Sequence, residues 1–103
     1  MTLTVIFIDE AREEFDAAAD WYNAKKRGLG TRFISRVQDA IDSMVAMPRM
    51  RQEIFQDVRR VVVKKFPYSV LYRANSDSIL IIAVFHGKRD PSIWQSRLKS
   101  RDS

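Results

Sequence analysis

Cysteine is absent from this sequence of 103 residues, and histidine occurs only once. Without cysteine there is no disulfide, no thiolate zinc site and no thiol nucleophile, and the chain is compatible with a reducing compartment such as a bacterial or archaeal cytoplasm. A second histidine and an ordered pair of carboxylates are both missing, so the sequence predicts no metal site. We also expect no cofactor.

Long hydrophobic runs are missing as well. The longest apolar stretch extends from Ile79 to Phe85, far short of the ~20 residues that a membrane-spanning helix needs. The N-terminal segment, MTLTVIFIDEAREEF, has no basic region before its apolar residues and reaches acidic residues within ten positions, unlike a signal peptide. We therefore expect a soluble, cytoplasmic protein with no membrane partner.

Size and charge narrow the class of protein further. Residues in the hydrophobic class make up 46% of the chain, which suits one compact domain over residues 1–103. Lys and Arg number 18 against 13 Asp and Glu, a net charge of +5. Such a balance indicates an acidic partner, and nucleic acid, an acidic protein and anionic lipid all remain open.

The first half of the sequence predicts a strand followed by two helices. Residues 3–8, LTVIFI, are mostly β-branched or aromatic and favour a strand, and Asp9 is placed to cap the helix that follows. Apolar residues at helical spacing indicate a helix over residues 9–27 and a second helix that ends before Pro48. The two stripes are Ala11, Phe15, Ala18 and Tyr22, and then Phe33, Val37, Ile41 and Met44.

Charges and a glycine mark the ends of the first helix. Acidic residues, Glu14 among them, favour its positive end, and the basic residues 25–27 favour its negative end. Gly28 can adopt the left-handed conformation that stops a helix. So short a connection predicts an antiparallel hairpin, and we expect Trp21 and Tyr22 to pack in the core between this hairpin and a sheet.

The second half changes to the period of strands. Proline at position 67 and the polar run NSD divide stretches that are rich in Val, Ile and aromatic residues. They predict an antiparallel meander with strands over residues 59–66, 68–74 and 78–86. Residues 52–56 favour a short strand or a loop, and Trp94 a helical turn. The order predicts an α+β fold of an N-terminal strand, an antiparallel helical hairpin and a three- to four-stranded meander.

A basic cluster flanks the valines of the first meander strand. Side chains alternate across a strand, so Arg60 and Lys64 are expected on one face and Arg59 and Lys65 on the other. Two interpretations are open. The cluster could bind phosphates or acidic side chains, or it could hold charged strand ends in water and keep an edge strand from pairing.

The stretch FHGKRDPSIW, residues 85–94, contains the best candidates for chemistry. His86 could act as a general acid or base near neutral pH, with Lys88 and Arg89 stabilising negative charge, or it could simply be hydrogen-bonded at a strand end. The other reasonable proton carriers in the chain are Tyr68 and Tyr72.

The rest of this stretch favours a structural role. We expect Asp90 to accept local N–H groups in a turn that Pro91 fixes, and Trp94 to cover apolar surface.

Four pieces, WYNAKKRGLGTRF, the proline after the second helix, KKFPYSVLY and AVFHGKRDPSIW, together resemble the RelE/ParE superfamily of type II toxins. The resemblance is to the ParE-like, plasmid-stabilisation branch and covers nearly the whole chain. It implies a toxin with a helical hairpin on a twisted antiparallel sheet, neutralised in a hetero-oligomer by an antitoxin. An acidic antitoxin suits the basic charge.

The superfamily divides by target, and individual residues bear on the division. RelE-like members cut messenger RNA on the ribosome, whereas ParE-like members are associated with inhibition of DNA gyrase. Ribonuclease members commonly carry an arginine just before the stretch that corresponds to VLY, and this chain has Ser69 there. Arg73 lies four residues on, with the same parity along the strand.

The resemblance therefore favours a toxin that binds gyrase and is not an enzyme. Alternatives are a ribosome-dependent mRNA endoribonuclease, and an attenuated toxin that acts mainly in the antitoxin complex and in autoregulation of its operon. If the chain is an enzyme, the candidate site residues are Arg60, Lys64, Arg73, His86 and Arg89.

Overall fold

A computed structural model describes the backbone of residues 3–102 and the side chains of residues 3–99. The order of elements is the α+β order that the sequence predicts. Strand β1 is followed by helices α1 and α2, four further strands and a third helix. Their bounds are β1 Thr4–Phe7, α1 Asp9–Lys25, α2 Leu29–Ala46, β2 Glu53–Phe55, β3 Val58–Val62, β4 Tyr68–Ala74, β5 Ser78–His86 and α3 Ser92–Asp102.

All five strands form one sheet in the order β1-β5-β4-β3-β2. Strands β2, β3, β4 and β5 pair antiparallel in chain order, which confirms the predicted meander and the short strand within residues 52–56. β1 pairs with β5 in parallel, from Thr4 opposite Ser78 to Phe7 opposite Ile81. The first strand thus lies beside the last, and the helical hairpin carries the chain from β1 to β2 at the opposite edge of the sheet.

An irregularity in β5 changes which side chains face the hairpin. Leu71 pairs with Ala83 and Tyr72 pairs with Ile81, so Ile82 is an extra residue in the ladder. The strict alternation of a strand is therefore broken. Both Ile81 and Val84 belong to the core under the hairpin, whereas Ile82 and Ala83 belong to a second core on the opposite face.

The hairpin of α1 and α2 covers one face of the sheet. The α2 stripe that the sequence predicts is buried throughout, and Ala11 and Ala18 of α1 are buried with it. The two helices meet closely at Gly30, whose backbone N–H donates to Asn23 Oδ1 at 2.8 Å. A Cβ at position 30 would collide with the Ala19 carbonyl oxygen and with Asn23, so only glycine permits this approach.

The ends of α1 differ from the prediction. Asp9 is the first residue of the helix, Ile8 occupies the N-cap position, and no side chain caps it. The acids of the first turn instead favour the positive helix end by charge. Gly28 does adopt the left-handed conformation, with φ of 85°, as the residue that precedes α2.

Helix α3 covers the opposite face of the sheet and is longer than the single turn that the sequence predicts. Trp94 and Leu98 are buried against Leu71, Ala83 and Phe85. The predicted turn before α3 is confirmed, because Asp90 Oδ1 accepts the N–H of Ser92 at 3.0 Å. Among residues 3–102, no helix is both long and apolar enough to cross a lipid bilayer.

Two predictions about exposed residues are wrong. Trp21 is not in the core: 56% of its surface is exposed, while Tyr22 beside it packs against the core. β3 ends at Val62, and Lys64 and Lys65 lie in the turn to β4. The predicted alternation of Arg60 with Lys64 therefore does not apply. The turn closes because Val63 donates its N–H to the carbonyl oxygen of Tyr68, at 2.9 Å.

Candidate functional site

Two clefts flank the C-terminal end of β5, one on each face of the sheet. The hairpin cleft, about 540 Å³, lies between α1 and the sheet, and its lining includes Glu14, Trp21, Tyr22, Tyr68, His86 and Arg89. The α3 cleft, about 290 Å³, lies on the opposite face, and its lining includes Arg60, Ser69, Phe85, His86, Arg89 and Trp94. His86 and Arg89 line both clefts, so the end of β5 forms the wall between them.

His86 is held by its neighbours at the end of the strand. It pairs with Tyr68 across the β4–β5 ladder, and the two rings meet edge to face with centroids 5.1 Å apart. Nδ1 of His86 accepts the backbone N–H of Lys88 at 3.0 Å. The neutral ring therefore carries its proton on Nε2. This arrangement matches the hydrogen-bonded strand-end histidine, and it leaves Nε2 as the atom for proton transfer.

Neither tyrosine of the meander can act as a general base alongside His86, because both keep their protons. Burial raises the pKa of Tyr68, and Glu14 adds to this while Arg89 opposes it. Burial also raises the pKa of Tyr72, and the positive charge of Arg59 offsets only part of this increase. The Tyr72 hydroxyl donates to the Pro48 carbonyl at 2.8 Å, away from both clefts. Both phenols thus keep their protons near neutral pH.

Glu14 is the residue at this site that the sequence did not reveal. Its Oε2 accepts hydrogen bonds from Arg89, at 2.9 Å, and from Arg97, at 2.7 Å. Its Oε1 accepts from Arg97 and from the backbone N–H of Val84, at 3.0 and 3.1 Å. Arg97 also donates to the carbonyl oxygen of Ile82 at 3.0 Å. We call Glu14, Arg89 and Arg97 the carboxylate clamp.

The carboxylate clamp completes the open edge of β5. The parallel pairing with β1 ends where Ile8 donates its N–H to the carbonyl oxygen of Ile81. Beyond this point the backbone groups of β5 that face away from β4 have no strand partner. Glu14 and Arg97 supply the missing hydrogen bonds. In the sequence Glu14 is only one of several acids near the start of α1. Its partners Arg89 and Arg97 lie 75 and 83 residues further along the chain, so the sequence does not indicate the pairing.

The structure brings three of the five candidate residues together. Arg60, His86 and Arg89 line the α3 cleft. Arg73 shares the face of Ser69, as predicted, but lies about 13 Å further along β4. Its Nε donates to Asp57 Oδ1 at 2.7 Å. Lys64 is in the β3–β4 turn. The candidate set is therefore not one constellation.

Metal-ligating side chains are not clustered in the described part of the chain. Within residues 3–99, no group of three or more His, Asp or Glu side chains is placed to hold a metal ion. The side chains that line the two clefts include cations, one imidazole, aromatic rings, the Glu14 carboxylate and the Ser69 hydroxyl.

Comparisons with known proteins bear on this arrangement. The model of a family described as "ParE toxin of type II toxin-antitoxin system, parDE" matches residues 5–91. The search of curated proteins found no match.

Two solved structures resemble the chain in fold. One, from the chromosomal ParDE toxin–antitoxin system of P. aeruginosa, has a TM-score of 0.71 and 15% identity, covering 82% of this chain and 96% of that chain. The other is E. coli toxin RelE in the free state, a mutant with two arginines changed to alanine. It has a TM-score of 0.68 and 16% identity, covering 98% of each chain. The predicted RelE/ParE-like fold is confirmed.

Proposed function

The chain belongs to the ParE toxin family of type II toxin–antitoxin systems, and from that premise we propose that it inhibits growth by binding a target such as DNA gyrase. In this proposal residues 1–103 act as a single toxin domain in the cytoplasm. A cognate acidic antitoxin neutralises the toxin in a hetero-oligomer. The net charge of +5 favours an acidic partner because opposite charge speeds and orients the encounter.

Two of the candidate arginines are already held in ion pairs with carboxylates, and this observation favours a binding function over a cleavage function. RNA cleavage needs a base, an acid and cations around the scissile phosphate. Arg73 is bonded to Asp57, and Arg89 to Glu14. Ser69 stands where ribonuclease members commonly have arginine. The loss of one such cation costs about a hundredfold or more in rate.

A DNA supercoiling assay tests the proposed target. Purified toxin is titrated into gyrase acting on relaxed plasmid, with and without the antitoxin encoded by the neighbouring reading frame. We expect supercoiling to fall with toxin concentration and to recover when antitoxin is added. Unchanged supercoiling at a large excess of toxin would count against gyrase as the target.

A ribosome-dependent endoribonuclease is the second candidate. The observation in its favour is that His86 lines the same cleft as Arg60 and Ser69. Primer extension on translated messages after brief expression would reveal new 5′ ends. The variant Ser69→Arg sharpens the test, because it should create or raise cleavage only if the remaining site is present. Absence of new 5′ ends for both proteins removes this candidate.

A further inference from the structure

Helix α1 carries the hairpin connection beyond the C-terminal end of β5. Its last turn lies over the start of β4, because the Tyr22 ring packs against Phe66 and Tyr68, with centroids 4.9 and 6.2 Å away. Tyr68 pairs with His86, the last residue of β5. The connection that follows, residues 26–28, therefore lies at the end of the sheet where β5 finishes.

Two further turns meet the hairpin connection at this end of the molecule. Phe66 belongs to the β3–β4 turn, residues 63–67. The turn after β5 begins at Gly87, whose N–H donates to the Pro67 carbonyl oxygen at 2.9 Å. Six exposed cations lie on these three turns and on the last residue of α1, and we call them the basic pole. They are Lys25, Lys26, Arg27, Lys64, Lys65 and Lys88.

The charge of the basic pole is not neutralised by the described part of the protein. Among the side chains of residues 3–99, none of the six cations has an acidic partner in an ion pair. Lys25 Nζ lies 4.9 Å from the centroid of the Trp21 ring. The neighbouring acids along the chain are Asp20, on α1, and Asp90, whose carboxylate is hydrogen-bonded in the turn before α3. The pole therefore presents positive charge to a partner.

The composition of the basic pole distinguishes between kinds of anionic partner. Among the described residues, no large apolar side chain is exposed within 25–28, 63–67 or 87–90. Protein interfaces have apolar and aromatic centres from which lysine is depleted, and binding to a membrane surface adds buried apolar area to the charge. Lysine is a compact, strongly hydrated charge on a flexible stem. Five lysines on three turns thus suit a regular row of phosphates.

We propose that the basic pole binds the phosphate backbone of duplex DNA, independently of sequence. Contacts to phosphates place a protein on the duplex but carry no sequence information. The choice of DNA rests on the proposed function, because a toxin that acts on gyrase meets the DNA on which gyrase works. The inference goes beyond that function, since it gives the toxin a second partner and a surface of its own for it.

Fluorescence anisotropy with a labelled duplex of about 20 base pairs measures the binding to purified toxin. Each phosphate contact contributes about −0.9 to the slope of log K against log salt concentration. With about four of the cations engaged, the slope should be about −3.6, and the affinity should fall about 150-fold between about 50 and 200 mM salt. A slope shallower than about −2 would overturn the inference.

Matched double variants separate the basic pole from the overall charge. Lys26→Gln with Lys64→Gln neutralises one cation on each of two turns. It should make the slope shallower by about 1.8 and weaken binding about 50-fold at ~0.1 M salt. Arg12→Gln with Lys99→Gln removes the same charge from exposed positions elsewhere on α1 and on α3, and binding should stay within about threefold because salt screens distant charges.

Thermal melts establish that both double variants are folded, which is expected because all four side chains are exposed. Equal losses of affinity in the two double variants would overturn the basic pole as the site.

Unlabelled competitors identify the anion. Duplex DNA should displace the labelled duplex at least as well as an RNA duplex of the same length. It should displace it far better than polyglutamate, single-stranded DNA, or vesicles of equal parts phosphatidylcholine and phosphatidylserine. Better displacement by any of these four competitors would overturn duplex DNA as the partner.

The outcomes separate this inference from the proposed function. Supercoiling is measured at toxin concentrations below the Kd for the duplex, so that coating of the plasmid does not mimic inhibition of gyrase. If the toxin inhibits supercoiling but does not bind the duplex through the basic pole, only this inference fails. If it binds the duplex through the pole but leaves gyrase unaffected, the proposed target fails and the DNA site stands.

Discussion

Glu14→Ala should destabilise this protein more than its position on the surface of a helix suggests. Glu14 and Arg97 have side chains that are 13% and 9% exposed and lie 2.7 Å apart. Removing the carboxylate leaves Arg97 nearly buried without its charge partner, which costs about 3–5 kcal/mol. It also deprives the N–H of Val84 of its acceptor. Against a total stability of about 5–15 kcal/mol, this is a large fraction.

Thermal and urea unfolding measure the effect. A loss of about 3 kcal/mol lowers the melting temperature by about 12 °C or more in a domain of this size. Glu13→Ala, one residue earlier on the exposed side of α1, is the matched control and should change stability by less than about 0.5 kcal/mol. A double-mutant cycle with Arg97→Ala should give a coupling energy of about 2 kcal/mol. A cost below about 1 kcal/mol for Glu14→Ala would refute the reasoning.

Two further predictions concern the helix contact and the phenols. Gly30→Ala should lower the urea midpoint sharply because its Cβ would collide with the backbone of α1. The control Gly87→Ala should have a mild effect, because a Cβ there would lie 3.7 Å from its nearest neighbour, the Pro67 carbonyl oxygen. Equal midpoints for the two variants would contradict the tight contact at Gly30. Burial raises the pKa of all three tyrosines above the usual value of about 10, so the unfolded chain loses these protons first and stability should fall as pH rises above about 10. Absorbance at ~295 nm follows the titration, and urea midpoints that do not fall over this range would disprove the shift. The three phenols are Tyr22, Tyr68 and Tyr72.

The elements that local signals define could be predicted from the sequence. β4 and β5 begin and end as predicted, because Pro67 and the polar run NSD interrupt an apolar pattern that is otherwise continuous. The helical hairpin follows from two apolar stripes and one short connection. The sequence predicts only one turn for α3 because, among its residues up to Lys99, only Trp94 and Leu98 are buried, and so sparse a pattern does not indicate a long helix.

The features that depend on distant residues could not be predicted. The extra residue at Ile82 places Val84 on the hairpin face, and only the pairing with β4 reveals it. Glu14 reads as one of several acids that favour a helix end, yet its partners come from the far end of the chain. Trp21 has the chemistry of a core residue, but the neighbouring Tyr22 packs against the core and Trp21 stays exposed.

The fold explains how one short stretch serves two surfaces. β5 lies between the two cores. Its last residue, His86, lines the hairpin cleft together with Tyr68 and lines the α3 cleft together with Ser69. Arg89 follows after a tight turn, with its guanidinium 4.4 Å from the Phe85 ring. Glu14 on α1, in the carboxylate clamp, holds the Arg89 guanidinium in place. A change in the clamp should therefore alter both clefts together.

Gyrase inhibition and message cleavage, measured side by side with one preparation of toxin, test the central claim most directly. The toxin is titrated into a plasmid supercoiling reaction and into a translation reaction that is followed by primer extension. The proposed function predicts loss of supercoiling, its recovery on addition of the antitoxin, and no new 5′ ends in translated messages. New 5′ ends at toxin concentrations that leave supercoiling intact would contradict it.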